Sequence, residues 1–178
     1  MLRSILVALF SLVATAAFAE ADLSSFTQAK IAFASAHAPR ASELQNALWM
    51  TTTIASAVDE SGSYPSGRLP AGDGTFYREI AHFTVSHNGS VEAIFKRSEA
   101  DKGLSLGSTR HTGVLDGKGL VLTAPGDAGS CATRSVCRTL ASKTLLCAQA
   151  NDDDRAVCTR SYKKGFVSSY IGYKPVHP

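Results

Sequence analysis

Four cysteines, five histidines and a run of three aspartates are the residues of this 178-residue chain whose types and spacing could do chemistry. Cys131, Cys137, Cys147 and Cys158 fall within one stretch of 28 residues, separated by five, nine and ten residues with no histidine between them. Structural zinc sites use closely spaced cysteine pairs, so this spacing excludes a zinc knuckle. An even cysteine count in an exported chain reads instead as disulfides, and four cysteines allow three pairings. A turn centred on Asp152-Asp153 would set Cys147 opposite Cys158, at the spacing of about 4.5–5.5 Å found between paired antiparallel strands. That spacing suits a disulfide. Cys131 and Cys137 would then close a short local loop, so the expected pairs are Cys131 with Cys137 and Cys147 with Cys158.

The histidines are dispersed. His82 and His87 point to opposite faces of an extended segment and cannot share a metal. His82 carries a different expectation through the Asn88-Gly89 pair, which between apolar runs signals a two-residue hairpin turn. Counting outward from that turn sets Ser86 opposite Val91, Thr84 opposite Ala93 and His82 opposite Phe95. His82, Thr84 and Phe95 would thus share one face, and if that face is interior they form a polar fixture in an apolar cavity, the usual constitution of a ligand site.

No catalytic motif accompanies them. The chain has no G-x-S-x-G elbow, H-E-x-x-H pair, Walker loop or calcium-loop spacing. Gly72-Asp73-Gly74 lacks the third glycine of a dinucleotide fingerprint and reads as a turn. An enzyme, if this is one, would be a secreted hydrolase with a site assembled from distant residues such as His82, His111 and Asp116. No cofactor or metal is expected. Asp152 to Asp154 read as a solvated hairpin tip, since aspartate serves turns. Tyrosines beside lysines at Tyr162-Lys163-Lys164 and Tyr170 to Lys174 lack any nucleic-acid-binding signature, so nucleic acid is not expected as a partner.

The elements that must position these residues begin after an export signal. Arg3 precedes an uncharged apolar run of 14 residues, Ile5 to Phe18, closed by Ala17-Phe18-Ala19 and followed at once by Glu20. This is the pattern of a cleaved signal peptide over residues 1–19, too short for a membrane span, and no later stretch is apolar enough to cross. The protein is therefore expected in the periplasm or outside the cell. The remaining chain is the size of one domain with globular composition, 44% hydrophobic and 19% charged over the whole sequence. Charge is uneven: from Cys131 onward there are eight Lys or Arg against three Asp, and residues 20–130 hold nine against twelve acidic residues. A solvated basic face accounts for this asymmetry; an anionic partner would exploit it.

Residues 20–40 contain one amphipathic helix, from Asp22 to Ala38, with Leu23, Phe26, Ala29 and Phe33 at helical spacing, a Ser25-x-x-Gln28 capping box and Pro39 as its stop. A single helical turn over residues 43–47 follows, and then strands throughout 41–178. These are Leu48 to Val58, Phe76 to Val85 with Val91 to Lys96, Gly113 to Leu115 with Leu120 to Leu122, Thr144 to Gln149 with Arg155 to Tyr162, and Phe166 to Tyr173. Residues 61–74 form a Gly/Pro/Ser-rich surface loop. Seven to nine strands at this spacing, with no strand-helix-strand alternation, give a mainly β fold: a small antiparallel barrel or sandwich with one N-terminal helix.

The segment Ala41-Ser42-Glu43-Leu44-Gln45-Asn46-Ala47-Leu48-Trp49, a helical turn and then a tryptophan opening the first strand, resembles the start of lipocalin-type barrels and of the related bacterial inhibitors of secreted metalloproteases. Those families have Gly two residues before the Trp where this chain has Ala47. The resemblance implies a barrel and carries no functional residue. Its partners are accordingly expected to be a small apolar ligand inside or an envelope component or protein at the loops, with a non-catalytic binding or envelope-associated role. A structural role, with the Phe26 helix packed on a partner chain, is the remaining reading.

Overall fold

A computed structural model describes residues 22–57, 69–70, 76–160 and 162–176. The signal segment and most of the 61–74 loop lie outside the described residues. The elements are α1 (Phe26–Ser35), α2 (Ala41–Gln45), β1 (Leu48–Ser56), β2 (Leu69–Pro70), β3 (Phe76–Val85), β4 (Ser90–Glu99), β5 (Ser105–Asp116), β6 (Gly119–Ala124), β7 (Thr133–Thr139), β8 (Leu145–Asn151), α3 (Ala156–Thr159) and β9 (Val167–Val176). From β3 to β9 each strand pairs antiparallel with the next, and β1 pairs with both β9 and β3. Eight strands thus close into an up-and-down barrel, with β2 appended to the far end of β3. Closure removes the free edges of the sheet, and it decides between barrel and sandwich.

Side chains alternate across the wall as the pleat requires. Glu79, Ala81 and Phe83 point inward on β3 while Ile80, His82 and Thr84 are exposed. The interior is filled by Trp49, Ile54, Phe83, Phe95, Leu120, Leu122, Leu145, Ile171 and Tyr173, among others. One end is plugged by α2, whose Leu44 is fully buried in that core. Gln45 donates from Nε2 to the Val85 carbonyl, and Trp49 from Nε1 to the Leu44 carbonyl, fixing the plug to β3 and β1. The loops after β4, β6 and β8 gather at the other end, which we call the mouth.

Helix α1 lies on the outside of the wall. Ser25 caps it by accepting from the Gln28 N–H, and Ala29 and Ala32 allow close approach to Ala55, Leu146, Ala148 and Tyr170. Phe26 and Phe33 flank the Tyr170 ring at 5.0 and 5.6 Å. The helix that could have reserved its apolar face for a partner chain spends it on this barrel. Because β8 and β9 are covered on both faces, Leu145–Ala148 and Tyr170–Tyr173 read as unbroken apolar runs rather than alternating ones.

Three expectations are corrected. In the β3–β4 hairpin Val85 faces Val91, with a further Ser86 N–H to Ser90 carbonyl bond, so the turn holds three residues, His87-Asn88-Gly89, with Gly89 at φ +84°. This is the turn that ends in a left-handed glycine, and it shifts the pairing by one residue relative to a two-residue turn. Arg155 to Tyr162 holds α3 rather than a strand, and β8 pairs instead with β7, for which the sequence gives no strand signal, and with β9. The disulfides follow from that pairing. Cys137 and Cys147 face each other across β7–β8 and are bonded, and Cys131 is bonded to Cys158. Cys147 and Cys158 are therefore not partners, nor are Cys131 and Cys137. Two disulfides fit an oxidising, periplasmic or extracellular environment. Among the described residues no helix is long and apolar enough to cross a membrane.

Candidate functional site

The mouth end of the interior departs from the apolar rule. Glu79 and Arg97 lie directly opposite each other on β3 and β4, both facing inward, and Arg97 Nε donates to Glu79 Oε1 at 2.7 Å. The other carboxylate oxygen accepts from the Tyr173 hydroxyl on β9 at 3.1 Å. Pairing of β1 with β3 stops at Met50 opposite Ile80, and beyond it the Thr51 hydroxyl continues the connection, accepting from the Glu79 N–H at 3.1 Å. A buried carboxylate is tolerated only when paired and hydrogen-bonded, and Glu79, 5% exposed, has both kinds of partner. The Arg97 guanidinium also lies over the Tyr77 ring, 5.1 Å from its centroid.

Protonation states follow from this geometry. Burial, reinforced by the Glu79 charge, pushes the Tyr173 phenol well above its ordinary value, so it stays protonated and donates. Burial works against the Arg97 cation, but Glu79 and the tyrosines hold its pKa above the ordinary value. Tyr77 is raised by burial and by Glu79. His111 on β5, its ring 4.5 Å from that of Phe95, is driven down to about 4 by burial and then by the Arg97 charge. At neutral pH the cluster is therefore a satisfied ion pair beside a neutral imidazole, without a nucleophile poised against a base.

Ser135, Gln149 and Cys147 complete the walls around a cavity of about 60 Å³. That is room for a few waters, far below the several hundred Å³ of ligand sites. This cavity among the described residues is thus too small for an apolar ligand of ordinary size.

Of the residues singled out from sequence, Phe95 faces this interior, 5% exposed, while His82 and Thr84 lie on the outer face of β3, opposite Ile94 and Glu92. The three are not brought together. Neither is the hydrolase set: His82 is outside, His111 inside, and Asp116 sits at the β5–β6 turn, where its carboxylate accepts from the Lys118 and Gly119 N–H groups. Glu79, Arg97, His111 and Tyr173 were missed as a cluster. The signal was present, since a three-residue turn at His87-Asn88-Gly89 aligns Glu79 with Arg97 on the face of Ala81 and Phe83.

Above the mouth, two loops are clamped together. The Cys131–Cys158 disulfide joins the β6–β7 loop to the β8–β9 loop. Asp153 accepts from the Ala132 N–H at 3.0 Å and from Arg155, whose other nitrogens donate to the Asp127 and Ser130 carbonyls. The Arg155 hydrogen bonds, followed by that of Ala132, hold the Asp153 carboxyl well below the usual carboxylate range. Asp154 pairs with Lys164 at 2.8 Å. The acidic run is thus spent on loop structure. Cys131, Asp153 and Cys158 lie close enough to suggest metal ligands, but the two sulfurs are bonded to each other and offer no thiolate. Comparison with known proteins finds no family model, curated protein or solved structure that matches this chain.

Proposed function

We propose that this chain is an exported binding domain, released from its signal peptide after Ala19, that holds an envelope component or protein partner on the outside of the barrel mouth and performs no catalysis. The observation that carries the reading is the contrast between a filled interior and an apolar rim. The cavity of about 60 Å³ accommodates no ordinary ligand. Yet four of the large hydrophobics most open to solvent stand on the loops and strand ends at the mouth: Leu104, Leu106, Val157 and Phe166. Tyr162 stacks on Phe166 at 4.9 Å, making a flat aromatic surface. Arg160 and Lys163 lie close to Tyr162 in sequence, which favours an anionic or mixed partner surface. Binding residues concentrate on loops held by a rigid scaffold, and the disulfide and the Arg155 clamp supply the rigidity here.

Site-specific photocrosslinking in the cell of origin tests this. A benzophenone side chain at Val157 or Leu104 is expected to give one discrete adduct that Phe166→Ser suppresses, whereas the same group at exposed Thr112, on the barrel wall, gives none. Equal adducts at all three positions, or none at the mouth, would overturn the proposal.

A further inference from the structure

At the end opposite the mouth, α2 does not seal the barrel completely. Between it, the β7–β8 turn and the end of β9 lies a hollow of about 270 Å³, walled on its apolar side by Trp49, Ala47 and Pro175. A dry cavity of about 150 Å³ admits benzene, so this volume takes a body of about ten carbons. Its polar lining is unspent. Thr139 is 5% exposed, yet its hydroxyl is buried with no hydrogen-bond partner. Ser42 and Asn46 line the same hollow, and neither side chain has a partner among the described residues. Two cations border it. Arg40 is neutralised by Glu43, which accepts from its guanidinium at 2.6 and 2.8 Å. Lys143 has no carboxylate partner among the described residues, so the hollow carries one uncompensated positive charge. The Lys143 backbone sits at φ +61°, a region that favours Gly or Asn, and it is the sole non-glycine residue with positive φ among those described.

We infer that this hollow is a binding site for a small organic monoanion, its apolar body against Trp49 and Pro175 and its carboxylate on Lys143 within reach of Ser42 and Asn46. The site is independent of the partner surface at the mouth and lies at the other end of the barrel.

The probe is 2-naphthoate, with neutral 2-naphthamide as its match in shape, titrated into the mature, oxidised protein. The chain has one tryptophan, so a single indole N–H resonance reports the hollow directly. Saturable shifts of that resonance and of the Lys143 and Asn46 amides are expected with naphthoate. Lys143→Gly removes the ammonium while relaxing the backbone, so the variant folds. It should weaken naphthoate about tenfold, the loss of one charge-assisted bond, and leave naphthamide unchanged. Ala47→Met, which fills the hollow, should abolish both. Shifts confined to the mouth, no saturation, or equal affinity in Lys143→Gly would overturn the inference; a failed mouth crosslink would leave it standing.

Discussion

A carboxylate inside a barrel is held by its partners one at a time, and each partner can be removed. Deleting one member of a buried ion pair costs about 3–5 kcal/mol because the other is left uncompensated. The Arg97 side chain is 36% exposed and Tyr173 still donates to Glu79, so the penalty here should be smaller. Arg97→Met is expected to destabilise the fold by about 2 kcal/mol and Tyr173→Phe by about 1 kcal/mol, with Tyr173→Phe costing more in the Arg97→Met background, where it removes the last side-chain donor to Glu79. Urea unfolding followed by Trp49 fluorescence measures all three; additive losses would show that the two groups do not share Glu79. His111 makes a second test. An imidazole ordinarily titrates near 6.5, and in the fold His111 accepts its proton only near 4. The unfolded chain therefore binds this proton first. The stability His111 confers is complete above pH 6.5 and is lost as pH falls towards 4. Solvent at the mouth screens part of the effect, leaving about 1–2 kcal/mol. His111→Asn should flatten the decline of stability between pH 7 and pH 4.5 relative to the unmodified protein, and an unchanged slope would remove His111 as its source.

At the scale of elements, legibility depended on whether turn chemistry named one turn or several. Asp116-Gly117-Lys118-Gly119 between apolar runs signals a hairpin, and β5 and β6 do pair there, with Asp116 opposite Gly119. Asn88-Gly89 fits both the two-residue turn and the three-residue turn that ends in a left-handed glycine, and the single residue between them moved His82 and Thr84 from interior to surface. Thr133 to Thr139 shows no strand pattern in the sequence because its inward positions hold Ser135, beside the polar cavity, and Cys137, while its outward positions hold Arg134, Val136 and Arg138. Too few apolar residues remained to show the alternation. Asp152 to Asp154 carried turn signals that the structure uses to organise the loop around α3, with Asn151 donating to the Asp153, Cys158 and Tyr162 carbonyls. With that hairpin went the disulfide assignment. The two cross-links now differ in access: Cys131 is exposed on a loop, whereas Cys137 and Cys147 are buried inside the barrel. Mild reductant on the folded protein should open Cys131–Cys158 first and leave Cys137–Cys147 intact until global unfolding. Stepwise alkylation with peptide mapping reads the order, and a peptide joining Cys147 to Cys158 would refute the β7–β8 pairing itself.

For the whole molecule the decisive contacts are remote in sequence. Barrel closure joins β1 to β9, with Thr51 opposite Tyr173, and no local hairpin repays that ordering early. Below the closure, Leu44 and Trp49 plug one end, and α1 buttresses β1, β8 and β9 from outside. What offsets the entropy of so non-local a fold is in part covalent. The disulfides span 27 and 10 residues in sequence. By the chain-entropy relation such loops contribute about 3.5 and about 2.7 kcal/mol. Their sum of about 6 kcal/mol falls within the whole stability of a typical domain, about 5–15 kcal/mol. The oxidised protein should therefore unfold in urea in one transition, with Trp49 fluorescence and far-UV circular dichroism coinciding. After full reduction, verified as four alkylated thiols by mass, the midpoint should fall to less than about half, or the chain should already be unfolded without denaturant. By the same arithmetic an oxidising compartment favours the barrel, because in a reducing one it would forfeit the stabilisation its two disulfides contribute. An unchanged midpoint after reduction would show that packing of the Trp49 core alone sustains the barrel, and would sever the link between its cystines and the place where it can fold.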